Sequence, residues 1–292
     1  MAKLRGKWEP LVWLLAFAAI AGFGRFMADP GQGTTRERTV RIGYVSWAEG
    51  IAMTYLAREI LESELGYRVE LTMADPAPIF TSLAKSDLDF FPDAWLPLTH
   101  SHYMDRYGET LTDLGHNYKG ARVGLVVPDY VDVGTIPQLR RESGLFGGRI
   151  TGIDSGAGIM EATDKAIAEY GLDMSLVSSS GAAMTASLKD AIAAGEPIVV
   201  TGWKPHWMFA RWKLKFLDDP KNVYGRAENI HTIGRPDVTR DLPEAAAFFR
   251  NFFFTDQQIG GLMDTFNRHQ DQRAAARAWM EAHRDLVESW LP

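Results

Sequence analysis

The chain has no cysteine in its 292 residues. That absence excludes a disulfide framework, a thiol nucleophile and lipid attachment at cysteine. A positive surplus is also missing: 31 Lys and Arg stand against 37 Asp and Glu, a net charge of −6. An acidic body has no general attraction for nucleic acid or anionic lipid, so no nucleic-acid partner is expected. There is no Gly-Lys-Ser/Thr Walker loop, no G-x-G-x-x-G and no G-x-S-x-G elbow, so neither a nucleotide site nor a serine hydrolase is indicated. His100 and His102 form a close pair without an evident third ligand, so neither a metal nor a cofactor is expected.

Long apolar runs are scarce, and the conspicuous one is N-terminal. Lys3, Arg5 and Lys7 precede Leu11–Phe23, and Ala19-Ile-Ala21 offers a small-x-small cleavage site. The pattern is that of an export signal, or an anchor if uncleaved, over residues 1–28. A polar linker with Pro30, Gly31 and Gly33 covers 29–38. The body is therefore expected outside the cytoplasmic membrane, in the periplasm.

The body alternates strand-like and helix-like segments. Val40–Val45, Arg68–Met73 and Leu88–Phe91 read as strands separated by helices over Ala48–Leu65 and Ala77–Ser86. After a further strand at Ala121–Pro128 the pattern restarts. Strands at Ile150–Asp154, Leu176–Ser179 and Ile198–Thr201 enclose helices at Gly158–Tyr170 and Ala183–Ala194. Two β-α-β-α-β units predict an α/β protein of two lobes, each a mostly parallel sheet flanked by helices. The C-terminal stretch predicts helices Leu242–Phe253, Thr255–Arg268 and Gln272–Trp290, with Asp241 and Thr255 as caps. Arg273 to Arg277 reads as a solvated helix face.

Three tryptophans stand in loop-like settings after strand-like runs: Trp47, Trp95 and Trp203. Ligands bind at the carboxyl edge of such sheets. Several indole faces around one cavity suit a cation without hydrogen-bond donors, a quaternary ammonium. Trp207, Trp212, Trp279 and Trp290 read as structural. A polar handle is available in Gly152-Ile-Asp-Ser-Gly-Ala-Gly-Ile-Met160, where glycines allow close approach and the start of a helix favours an anion. His100, five residues after Trp95, can donate to the same anion from the other lobe. Together these groups describe a zwitterion. Glu49 and Asp93 read most simply as helix caps or solvated acids, and His206 is placed to orient Trp203.

These strings, with Gly43-Tyr-Val-Ser-Trp47, Asp93-Ala-Trp-Leu-Pro-Leu-Thr-His100, Gly124-Leu-Val-Val-Pro128, Thr201-Gly-Trp-Lys-Pro-His-Trp-Met-Phe209 and Asn229-Ile-His-Thr-Ile233, resemble the OpuAC-type substrate-binding proteins of ABC importers for glycine betaine. The resemblance runs from about Val40 to Phe266. It implies a two-lobed class II periplasmic-binding-protein fold with the ligand in the inter-lobe cleft. Lobe 1 would comprise 39–126 and 235–292, and lobe 2 would comprise 127–234, with hinges near Val126–Pro128 and His231–Gly234. It puts Trp47, Trp95 and Trp203 on the trimethylammonium, and the backbone N–H groups of Gly158 and Ile159 with His100 on the carboxylate. Glu49 and His206 are secondary candidates. The implied role is non-enzymatic: a monomer captures glycine betaine or proline betaine and delivers it to a membrane permease with its cytoplasmic ATPase. Glu49 matches an acidic position that reads the ligand hydroxyl in choline-binding relatives, which keeps choline or carnitine as an alternative. An extracytoplasmic enzyme acting on a betaine-like substrate is the reading from another class.

Overall fold

The computed structural model describes residues 38–292; the expected signal or anchor and nearly all of the linker lie outside them. No described helix is long and apolar enough to cross a membrane. The described residues form one mixed sheet of nine strands with helices packed on it. In chain order the strands are β1 (Thr39–Tyr44), β2 (Arg68–Met73), β3 (Phe90–Leu96), β4 (Thr112–Pro128), β5 (Arg149–Thr151), β6 (Ser175–Val177), β7 (Val200–Lys204), β8 (Leu214–Phe216) and β9 (Glu228–Gly234). Their spatial order is β2-β1-β3-β9-β4-β7-β5-β6, with β8 also on β4.

The first half of the sheet grows from parallel pairing of β1 with β2 and β3. Helices α1 (Ala48–Ser63) and α2 (Pro76–Ala84) make the crossovers. Ile42, Phe90 and Phe91 are wholly buried beneath them with Leu56 and Phe80. In the second half, β5 pairs parallel with β6 and β7, connected by α3 (Gly158–Tyr170) and α4 (Gly181–Ala194). Both α3 and α4 end on a left-handed glycine, Gly171 and Gly195, which lets the chain turn back toward the sheet.

Two strands join the halves. The first part of β4 pairs antiparallel with β9 over Thr112–Ala121, and its second part pairs antiparallel with β7 over Arg122–Val126. β9 lies between β3 and β4 along its whole length. Strand pairing therefore changes partner between Ala121 and Arg122, and again before Glu228. These points lie a few residues ahead of the boundaries expected at 126/127 and 234/235.

Several local expectations are corrected. Trp95 and Trp203 are not in loops; they lie inside β3 and β7, because β9 and β4 extend those strands by pairing with them. The helix expected over Leu242–Phe253 spans Pro243–Asn251 and is entered from Leu242 rather than capped by Asp241, whose carboxylate instead accepts from Arg235. Thr255 does cap the next helix, reciprocally with Gln258. The last helix is broken at His283 into Gln272–Ala282 and Arg284–Trp290. The Arg273 and Arg277 side chains are open to solvent, as a solvated face should be, but both also bind Glu59 of α1. Trp279 and Trp290 stack in the core with ring centroids 6.0 Å apart.

Candidate functional site

The three tryptophans arrive from separate elements. Trp47 is the residue before α1, with extended backbone (φ −89°, ψ 154°) that projects it off the helix end. Trp95 is carried near the end of β3, opposite Ile230 of β9. Trp203 is carried near the end of β7, opposite Val123 of β4. Both strands run on into a Trp-x-Pro turn whose X–Pro peptide is cis. All three indoles are buried, and all three line one small cavity of about 20 Å³ with Glu49, Gly158 and Ile159. Thr99, Val123, Ile153 and Ala157 complete the wall. That volume suits about one water.

The walls belong to opposite halves of the sheet and touch directly. Ser46 Oγ lies 3.5 Å from Asp154 Oδ2. Gly158, the first residue of α3, is pressed against Thr99: a Cβ built on it would sit 2.5 Å from the Thr99 carbonyl oxygen. Thr99 is held from behind by Glu228, whose carboxylate accepts from the Leu98 and Thr99 amides at 3.1 and 3.0 Å and from the Thr99 hydroxyl. Ala157 gives α3 no side-chain cap, so the amides that open the helix carry the positive end of its dipole into this wall.

Each of two indole N–H groups ends on a buried carboxylate. Trp203 Nε1 donates to Glu49 Oε2 at 2.8 Å, across the two halves. Trp95 Nε1 donates to Asp93 Oδ1 at 2.9 Å. Glu49 and Asp93 are fully buried, neither a cap nor solvated as expected. Burial pushes both carboxyls above the ordinary carboxylate range; for Asp93 the nearby Glu49 charge adds to it, and the indole bonds oppose the rise in each.

His100 is buried and does not line the cavity. Its Nδ1 accepts the Trp95 amide at 2.9 Å, so the ring proton belongs on Nε2, which has no protein partner. The ring stacks on Trp47 at 5.9 Å. Burial lowers its pKa to about 3, so the ring is neutral near pH 7. His206 also stands outside the cavity; it meets Trp203 edge-on at 4.7 Å and accepts the Met208 amide through Nδ1, which fits the orienting role. Sequence reasoning missed Thr99, Val123, Ile153 and Ala157. Thr99, Ile153 and Ala157 fall inside strings already singled out, whereas Val123 carried no signal of its own.

Comparison with known proteins gives one consistent result. Residues 38–282 match the OpuAC family, the substrate-binding domain of ABC-type glycine betaine transport systems. The glycine betaine/carnitine transport binding protein GbuC of Listeria monocytogenes is 51% identical over 144 residues, 48% of each chain; the chain thus spans about half the length of that curated relative. Lactococcal OpuAC, solved closed and complexed with glycine betaine, is 36% identical with a TM-score of 0.82, covering 87% of this chain and all of that one. An ABC-transporter choline-binding protein in complex with choline is 28% identical with a TM-score of 0.79, over 86% of this chain and 91% of its own.

Proposed function

The chain belongs to the OpuAC family of ABC-transporter substrate-binding domains, and from that premise we propose that it captures glycine betaine between its two halves. In this reading Trp47, Trp95 and Trp203 enclose the trimethylammonium group through their π faces. The amides of Gly158 and Ile159, at the positive end of α3, take the carboxylate, while His100, outside the cavity, steadies the cage by accepting the Trp95 amide and stacking on Trp47. His206 braces Trp203. The moving bodies are residues 38–121 with 228–292, and 122–227, hinged where β4 changes partner and ahead of β9. The closed protein hands its ligand, as a monomer in the periplasm, to a membrane permease driven by a cytoplasmic ATPase, and performs no chemistry on it.

One observation supports this above the rest: three indoles from three separate segments line the same cavity as Gly158 and Ile159. Three cation–π contacts of about 0.5–2 kcal/mol each supply a large part of the roughly 8 kcal/mol that micromolar binding needs. Glu49 on the cavity wall favours a second reading, in which the ligand is choline or carnitine and the carboxylate accepts a hydroxyl. Calorimetric titration of the purified protein, freed of endogenous ligand, separates the two. Tight glycine betaine with weak choline is expected. Tight choline with weak betaine would transfer the assignment, and binding of neither would refute both readings of the ligand and leave the aromatic cavity to another quaternary amine or a sulfonium.

A further inference from the structure

Behind the tryptophan cage lies a feature that packing alone does not require. Glu49 and Asp93 are both fully buried. Asp93 Oδ2 packs against Gly50, the residue after Glu49, where a Cβ would run into it, and the Glu49 charge is near enough to act on Asp93. Each spends one oxygen on an indole N–H. The other oxygen of each, Glu49 Oε1 and Asp93 Oδ2, is buried without a hydrogen-bond partner. Among the described residues no Lys, Arg or His acts on either carboxylate. Two adjacent buried carboxylates without a cation cannot both stay charged. A single proton held by one of the two carboxyls leaves one negative charge between them.

We propose that Glu49 and Asp93 act as one singly charged counter-ion behind the cage, which fixes the Trp95 and Trp203 indoles and makes the site select a cationic headgroup over an uncharged one of the same shape. The inference rests on the betaine reading above and adds the source of its charge selectivity. The cage faces alone attract a cation weakly, whereas a full charge behind them, in a site closed to water, attracts it over several ångströms. Because Glu49 belongs to α1 and Trp203 to β7, the same carboxylate also ties closure of the halves to the counter-ion.

The test compares glycine betaine with the tert-butylacetate anion, in which tert-butyl replaces trimethylammonium and the positive charge is gone. Calorimetry gives the ratio of the two affinities for the wild type, Glu49→Gln, Asp93→Asn and the double variant. The amides preserve shape and still accept an indole N–H. With one shared charge, either remaining carboxyl can carry it, so each single variant keeps the wild-type preference within about threefold. The double variant loses it by roughly tenfold or more, chiefly through weaker betaine binding. A double variant that keeps the preference, or weakens both ligands equally, overturns the proposal. So does a tenfold loss in either single variant, which decides the matter even where the double variant does not fold. Failure of the wild type to bind betaine would refute the parent reading instead, before any substitution is made.

Discussion

Gly158→Ala places one methyl group where the two halves meet. The residue does not have a left-handed backbone, so alanine is accepted locally and the ligand-free protein should keep its melting temperature. In the closed form the new Cβ would lie 2.5 Å from the Thr99 carbonyl oxygen and 2.6 Å from its Cγ2. Ordinary contact needs about an ångström more. Thr99 cannot yield easily, because Glu228 holds its amide and hydroxyl. The cleft must therefore stay ajar, and the contacts made across it weaken together. Losing the Trp203 face removes about 0.5–2 kcal/mol, and loosening the amide bonds to the carboxylate removes about 1.5–3 kcal/mol. The sum, about 2–5 kcal/mol, corresponds to a loss of affinity between roughly 30-fold and several thousandfold. Calorimetry measures that loss, and small-angle scattering should show less compaction on adding glycine betaine than in the wild type. Affinity within threefold of wild type, with normal compaction, would refute the idea that closure is set by the Gly158–Thr99 contact.

Other consequences are equally direct. Trp203→Ala should weaken glycine betaine about tenfold or more, the loss of one desolvated cation–π contact; near-wild-type affinity would remove Trp203 from the cage. Burial lowers His100 and His206 to about 3. Their folded values lie below the ordinary one, so both rings are neutral above about 3, and the stability they contribute is lost as pH falls from about 6.5 toward that value. Their ring NMR signals should accordingly stay fixed from pH 8 to 5, and a titration near 6.5 in either would contradict the burial argument. Glu59→Gln deprives Arg273 and Arg277 of a shared carboxylate on α1 and should cost about 1–2 kcal/mol in denaturant unfolding; an unchanged midpoint would make those pairs ornamental.

Much of the fold was legible because its signals are local. Apolar runs of strand length, the helix opening at Gly158 and the Thr255 cap all lie within a few residues of the chain. The long β4 was legible only in its apolar second part. Its first part, Thr112–Ala121, holds its place by pairing with β9 from more than a hundred residues away. The same long-range pairing put Trp95 and Trp203 on strands where neighbouring prolines suggested loops. Trp47, Trp95 and Trp203 could be singled out from their similar settings, and the structure brings them to one cavity. The Glu49 contact could not be read, since a charged residue at a helix start reads as a cap until the structure delivers an indole N–H from another element; Asp93 lies within β3 and takes its indole N–H from Trp95, two residues on. The pairing of the solvent-facing Arg273 and Arg277 with Glu59 was illegible for the same reason as the Glu49 contact.

The placement of β9 has a consequence for how the chain acquires its structure. Residues 122–227 are contiguous and can complete their sheet as soon as they are available. The other half cannot, because β3 and β4 never pair with each other; β9 lies between them and follows at Glu228–Gly234. Closing that gap joins segments far apart in sequence, which slows assembly. The later segment in the chain order should thus be the earlier to fold. Pulse-labelled hydrogen exchange during refolding should protect amides of β7 and of Arg122–Val126 before those bridging β3 and β9. The reverse order would mean that β1, β2 and β3 nucleate the protein without waiting for the strand that completes them.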